Sequence, residues 1–186
     1  MSASTPDLTA LVEQLAETKT ANCYQCGKCT AGCPRSEMMD VPPTRLMRLT
    51  QTGDILEATS AASIWQCVSC QTCSVRCPKS VHVAGVVDAL RQIALQENTV
   101  ARKMKNVVLF QQEFLNNIRR NGRTNELELV GWYKVKGFFQ SGSIPGLFAD
   151  TQLGPKMLSC GKLHFNIGSP VKDKAVVQRI FERCGY

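Results

Sequence analysis

One pattern occurs twice in this chain and limits what it can fold into: Cys23-x2-Cys26-x2-Cys29-x3-Cys33-Pro34 and Cys67-x2-Cys70-x2-Cys73-x3-Cys77-Pro78. This spacing lets three consecutive thiolates turn inward while the backbone N–H groups between them point at whatever they enclose, which suits an iron–sulfur cube. A tetrahedral zinc ion usually takes two C-x2-4-C pairs, so the third cysteine and the Cys-Pro of each run are surplus to it. A disulfide framework belongs to small secreted domains. The amino end here is Ser/Thr-rich and then amphipathic, without the apolar stretch of a signal peptide. That points to a reducing, cytoplasmic setting and to metal ligation.

The fourth cysteine of each run, stiffened by the proline after it, leaves in another direction. Where two such runs share a domain, it ligates the other run's cluster. The expected ligand sets are Cys23, Cys26, Cys29 and Cys77 for one [4Fe-4S] cluster, and Cys67, Cys70, Cys73 and Cys33 for the second. Eight of the ten cysteines are then used, and Cys160 and Cys184 are ordinary thiols. The formal charge of +7 resembles a nucleic-acid-binding balance. Eight thiolates bring about −8 and two oxidised cores about +4, leaving roughly +3. With no aromatic-basic interleaving, nucleic acid is not the expected partner. No apolar stretch approaches the eighteen or so residues of a membrane span.

The remaining segments read as helices. Thr5-Pro6-Asp7 is a helix start, and Leu8, Leu11, Val12 and Leu15 recur at helical spacing over about three turns, giving a lid over the cluster domain or a docking helix. Val41-Pro42-Pro43-Thr44 opens a short helix carrying Leu46, Met47 and Leu49 and closing at Gly53. Asp54 through Ala62 forms another and delivers Trp65, a core residue shielding a cluster rather than an electron relay, ahead of Cys67. Val83, Val86, Val87, Leu90 and Ile93 outline a helix whose start holds His82, expected as a near-surface cap or solvated group rather than a ligand. After a break at Asn98-Thr99, a further helix runs through Val100, Met104, Val107, Val108, Leu115 and Ile118 to Asn121-Gly122, with one basic side.

Beyond Gly122, recurrent glycines and prolines exclude long helices until a terminal one near Val171, through Val176, Val177, Ile180 and Phe181. Trp132, Tyr133, Phe138, Phe139, Leu147, Phe148, Leu158 and Phe165 nevertheless make this segment too apolar for a solvated linker. It wraps its own domain or covers a partner. The expected architecture is all-α: an N-terminal amphipathic helix over 1–20, an α-helical ferredoxin domain with two [4Fe-4S] clusters over 21–99, and a helix plus partner-docking extension over 100–186, largely irregular until its last helix.

With these features in view, the chain resembles the C subunit of the heterodisulfide reductase family, its small iron–sulfur component. Beyond the cysteines, the likeness includes Val87-Asp88-Ala89-Leu90-Arg91, the stretch from Gly122-Arg123 to Glu126-Leu127-Glu128, and Gly161-Lys162-Leu163. The cysteine runs also occur in iron–sulfur subunits of fumarate reductase, glycolate oxidase and anaerobic glycerol-3-phosphate dehydrogenase, so an iron–sulfur subunit of a flavin dehydrogenase is the alternative. The resemblance implies single-electron relay from one neighbour to another: an A-type subunit, which bears flavin, and a B-type subunit, whose CCG motifs carry disulfide-reducing clusters. This chain has no Cys-Cys pair and no Gly-x-Gly-x-x-Gly after a strand, so neither the disulfide-reducing centre nor a flavin is expected on it, and it has no catalytic residues of its own. Lys28, Lys79 and Arg76, each beside a ligand run, are candidates for raising cluster potential.

Overall fold

In the computed structural model, residues 8–141, 159–160, 171 and 173–184 are described, and every regular element among them is helical. The chain divides into two units, Met1–Lys105 and Asn106–Tyr186. In the first, α1 is Leu8–Leu15, α2 Lys28–Ala31, α3 Pro43–Thr52, α4 Ile55–Ser60, α5 Ser63–Gln66, α6 Thr72–Val75 and α7 Val83–Gln96. In the second, α8 is Lys105–Asn121, α9 Glu126–Ser141 and α10 Lys174–Arg183.

Helix limits in the first unit follow local chemistry. Proline opens α3 at its first position, where a missing N–H leaves no bond unmade, and Gly53 closes it in the left-handed region at φ 84°. The expected helix from Asp54 to Ala62 is α4, and a further one-turn helix, α5, follows it. The break is at Ala61–Ala62, where the Asp40 carboxylate accepts the N–H groups of Ala62 and Ser63 at 3.0 and 2.9 Å. Burial pushes the Asp40 carboxyl up, but those two donors and Lys103 outweigh it and hold it below the usual carboxylate range. α1 ends at Leu15, and Glu17 turns left-handed at φ 49° just after it. The proposed cap at Thr5-Pro6-Asp7 lies outside the described residues.

The core of this unit centres on α7, against which α1, α3, α4, α5 and α6 all pack. Its stripe Val83, Val86, Val87, Leu90 and Ile93 is buried as the spacing predicts, together with Leu46 and Met47 of α3, Ile55 of α4 and Ile64 and Trp65 of α5. α1 contributes Val12 and packs on α7 and α3, so it is a lid of this unit. At its end, Glu13 accepts the Thr20 N–H and hydroxyl at 2.7 and 2.8 Å, steering the chain toward the first cysteine run.

In the second unit, α8 ends at Asn121, and Gly122 after it takes a φ of 75°, where a side chain would be strained and its Cβ would lie 3.2 Å from that of Val171. The sequence expectation of no long helix between Gly122 and Val171 fails for α9, which spans Gly131 and Gly137. Each interior glycine costs a helix about 1 kcal/mol, and capping at its start together with contacts to α8 offsets that. Asn125 precedes the helix and its side-chain oxygen accepts the Glu128 N–H at 3.3 Å, while Glu126 and Glu128 oppose the positive end of the dipole. Tyr133 meets Phe110 edge-on at 5.6 Å, Lys136 pairs with the buried Glu113 at 2.6 Å, and Arg120 stacks on Trp132. The final helix α10 forms where the terminal periodicity places it. Leu147, Phe148, Leu158, Phe165 and Gly161-Lys162-Leu163 lie outside the described residues.

Leu90 is fully buried on α7. Leu90→Ala is expected to destabilise the chain by about 2–5 kcal/mol, read as a lowered midpoint in anaerobic denaturant unfolding.

Candidate metal centre

The two cysteine runs adopt the same backbone path. In the first, Gln25 and Gly27 flank Cys26 with φ of 62° and 79°; in the second, Ser69 and Gln71 flank Cys70 with φ of 50° and 62°. Left-handed residues on both sides of the middle cysteine wind the chain tightly enough to turn successive thiols to one side, and three of these four positions carry a side chain that resists that conformation. Each run then enters a one-turn helix holding its third cysteine, Cys29 in α2 and Cys73 in α6. These helices pack on each other. They end at matching positions, Gly32 and Arg76, and those two residues touch: a Cβ at Gly32 would lie 2.8 Å from Arg76 Cδ and Nη1.

That crossing brings together thiols from different runs. One cavity is lined by Cys67, Cys70 and Cys73 of the second run and by Cys33 of the first. Cys77 in turn is close enough to Cys23 for its charge to act there, beside those of Cys29 and Cys26. Among the described residues no three His, Cys, Asp or Glu side chains gather closely enough to hold a single metal ion. A cube binds one thiolate at each of four irons and needs them spread around it, whereas thiolates about 2.3 Å from one zinc would crowd together.

The residues present fit such a group in their hydrogen bonding as well. The Ser69 and Val81 N–H groups donate to Cys67 and Cys77 Sγ at 3.4 and 3.3 Å, and Cys29 Sγ lies 3.3 Å from the Thr44 hydroxyl. The Lys28 N–H, aided by the Tyr24 hydroxyl and the Lys28 charge, holds the Cys26 thiol below its ordinary value. The Thr72 hydroxyl and N–H do the same for Cys70. Burial pushes Cys23 and Cys73 up. Two donors at the second cavity have no protein acceptor: Arg35 and Ser63 both line it, and Arg35 Nε and the Ser63 hydroxyl are buried without a partner.

Two side chains that the sequence reading did not assign to the site hold the runs in place. Gln51 of α3 donates through Nε2 to the Thr20 and Cys23 carbonyls at 2.9 and 2.7 Å and accepts from Gln25 at 2.8 Å. Arg91 of α7 donates to the Ile64 carbonyl at 2.6 Å and to the Cys67 carbonyl, with Asp88 steadying it at 2.9 Å. Arg91 was visible only as part of the Val87–Arg91 stretch, and Gln51 had no sequence signal at all. His82 joins neither thiol set. Its ring lies over Gly85, with its nitrogens 3.3 Å from the Ala16 carbonyl and from Gln71 Oε1, so it ties the end of α1 to the second run. Lys28, Lys79 and Arg76 are exposed. Trp65 is buried, as a core residue should be. Cys160 and Cys184 are exposed, and all ten cysteines are free thiols.

Fold and thiol arrangement together define an all-helical iron–sulfur protein, and residues 22–82 match the family described as a 4Fe-4S dicluster domain. The chain resembles the C subunit of heterodisulfide reductase. It is 32% identical over 108 residues to the iron-sulfur C subunit of the CoB--CoM heterodisulfide reductase of Methanopyrus kandleri, covering 56% of each chain. It is 31% identical to the second such C subunit, from Methanocaldococcus jannaschii, over 56% of each. A third relative, the C subunit of the ferredoxin:CoB-CoM heterodisulfide reductase of Methanosarcina acetivorans, is 34% identical over 44% of this chain and 33% of its own. The chain spans about half the length of the first two of these curated relatives.

Arg91→Met, which leaves the Ile64 and Cys67 carbonyls without their donor, is expected to raise the rate of iron loss to a chelator about tenfold, the range typical of lost outer-shell partners. Cys160→Ser and Cys184→Ser are expected to leave that rate and the iron content unchanged.

Proposed function

We propose that this chain is an electron-transfer subunit of a cytoplasmic, heterodisulfide-reductase-like complex. It holds two [4Fe-4S] clusters and no flavin, and passes single electrons between two neighbours, one flavin-bearing and A-like, the other disulfide-reducing, CCG-type and B-like. The observation that carries this reading is the cavity lined by Cys33 together with Cys67, Cys70 and Cys73, with Cys77 close enough to Cys23 for its charge to act there. Cys23, Cys26, Cys29 and Cys77 would hold one cluster, and Cys67, Cys70, Cys73 and Cys33 the other. A [4Fe-4S] cluster supplies one-electron redox chemistry when bound. The chain's own part is to fix the two sites side by side through α2 and α6, to exclude water with α7 and Trp65, and to leave Cys26 and Cys70 exposed as edges where electrons enter and leave.

The second unit supports a docking role. It buries Glu113 and Asn117 where a self-sufficient core would bury apolar groups, while Trp132, Phe139, Val130 and Val135 of α9 and Val176 and Ile180 of α10 are exposed. Burying a large apolar side chain stabilises by about 2 kcal/mol, so several of these against a partner would offset much of the cost of association. The unit begins at Asn106 and α9 packs on α8. A clean truncation therefore falls after Lys105 rather than after Gly122.

The test has two parts. Anaerobically reconstituted full-length protein is expected to hold about eight irons and eight sulfides; zinc, or half that iron, would overturn the reading. The chain truncated after Lys105 is expected to keep its iron and its EPR signals and to lose co-purification with the complex. Normal co-purification by the truncated chain would place the docking surface on the first unit.

A further inference from the structure

The repeat that forms the two thiol sets also allows them to be compared position by position, and they are not equivalent. Arg35 follows Cys33-Pro34, and Lys79 follows Cys77-Pro78. Arg35 is half-buried, lines the cavity of Cys33, Cys67, Cys70 and Cys73, and has a buried Nε with no hydrogen-bond partner. Lys79 is exposed. The same inequality recurs four residues before each run's first cysteine. There the second run has Ser63, fully buried, lining the cavity, its hydroxyl unpartnered; the first has Lys19, which points to solvent and pairs with Glu13.

A guanidinium N–H shut away from water without an acceptor is costly, so its placement calls for an acceptor inside the cavity. The sulfur atoms of a cluster are such acceptors, and donors to them favour the reduced form because reduction adds one negative charge. Of the other cations near the runs, Lys28, Arg76 and Lys79 are exposed, where solvent and salt screen them, and the half-buried Arg91 already donates to the Ile64 and Cys67 carbonyls and to Asp88. Resting on the two-cluster reading above, we propose that Arg35, assisted by Ser63, makes the two clusters unequal. Its Nε–H donates to the sulfurs of the cluster held by Cys33, Cys67, Cys70 and Cys73, so that this cluster has the higher reduction potential and takes the first electron. The chain then has a direction built into it. An electron entering at the Cys23, Cys26, Cys29 and Cys77 cluster runs downhill to the other, and the partner that withdraws electrons sits on the exposed Cys70 side.

The experiment poises reconstituted full-length protein at a series of potentials with dithionite under anaerobic conditions and follows both clusters by EPR. Wild type is expected to show two one-electron steps at different potentials. Arg35→Gln is expected to keep its iron and to lower the higher step, so that at the wild-type midpoint its reduced-to-oxidised ratio falls about tenfold, the usual worth of a hydrogen bond to a charged group. The lower step stays in place. Lys79→Gln, the equivalent change at the first set, is expected to move neither step by more than about twofold in that ratio, because an exposed charge is screened. An unmoved higher step in Arg35→Gln, or a shift confined to the lower one, overturns the proposal. If Arg35→Gln fails to retain iron, Arg35→Lys decides, since it keeps the positive charge and removes the Nε–H: the higher step falls, or the proposal is wrong. A wild-type chain without two clusters would instead overturn the two-cluster reading, so the two failures are distinguishable.

Discussion

The packing of α2 on α6 is the contact on which the rest of the first unit depends. Each is a single turn, too short to be stable alone, and each is the continuation of a backbone wound through left-handed residues around an exposed cysteine. At Gly32 the Arg76 side chain lies where a Cβ would otherwise be. The crossing of the two runs at this point aligns the fourth cysteine of one with the first three of the other. A repeat whose halves folded independently would bring no such thiols together.

Around that crossing, the longer helices act as struts. α3 holds the first run through Gln51, α7 holds the second through Arg91, and α1 is fastened to the second run by His82. Both Gln51 and Arg91 bind the carbonyl of a run's first cysteine, so the same constraint is met twice by different chemistry. The likeness to the C subunit of heterodisulfide reductase is what supports the electron-transfer role proposed for this scaffold. The unpartnered Arg35 and Ser63 give its two halves different electrostatic environments despite their shared backbone path.

The second unit is built by another logic. Its helices pair through Glu113 with Lys136, Asn117 with the Asn125 backbone and an aromatic contact between Phe110 and Tyr133, while much of its apolar surface faces out. Such a unit is ordered by polar and aromatic contacts between α8 and α9.

The cysteine spacing, the Pro43 and Gly53 limits of α3, the apolar stripe of α7 and the terminal helix were all legible in the sequence, because each rests on interactions within a few residues along the chain. The helix at α9 was not. Its glycines argue against a helix locally, and what overrides them is contact with Phe110 and Glu113, distant in sequence. The one-turn helix α5 is similar, since the N–H groups at its start are held by the carboxylate of Asp40, more than twenty residues away. Spacing alone showed that thiols were grouped in two runs and, by general rule, that they should interlock. Only the tertiary structure set Cys33 beside Cys67, Cys70 and Cys73, and only it separated Arg35 from Lys79. In sequence both are basic residues after Cys-Pro; burial, which depends on how every other helix packs, makes one a donor without a partner and leaves the other in water.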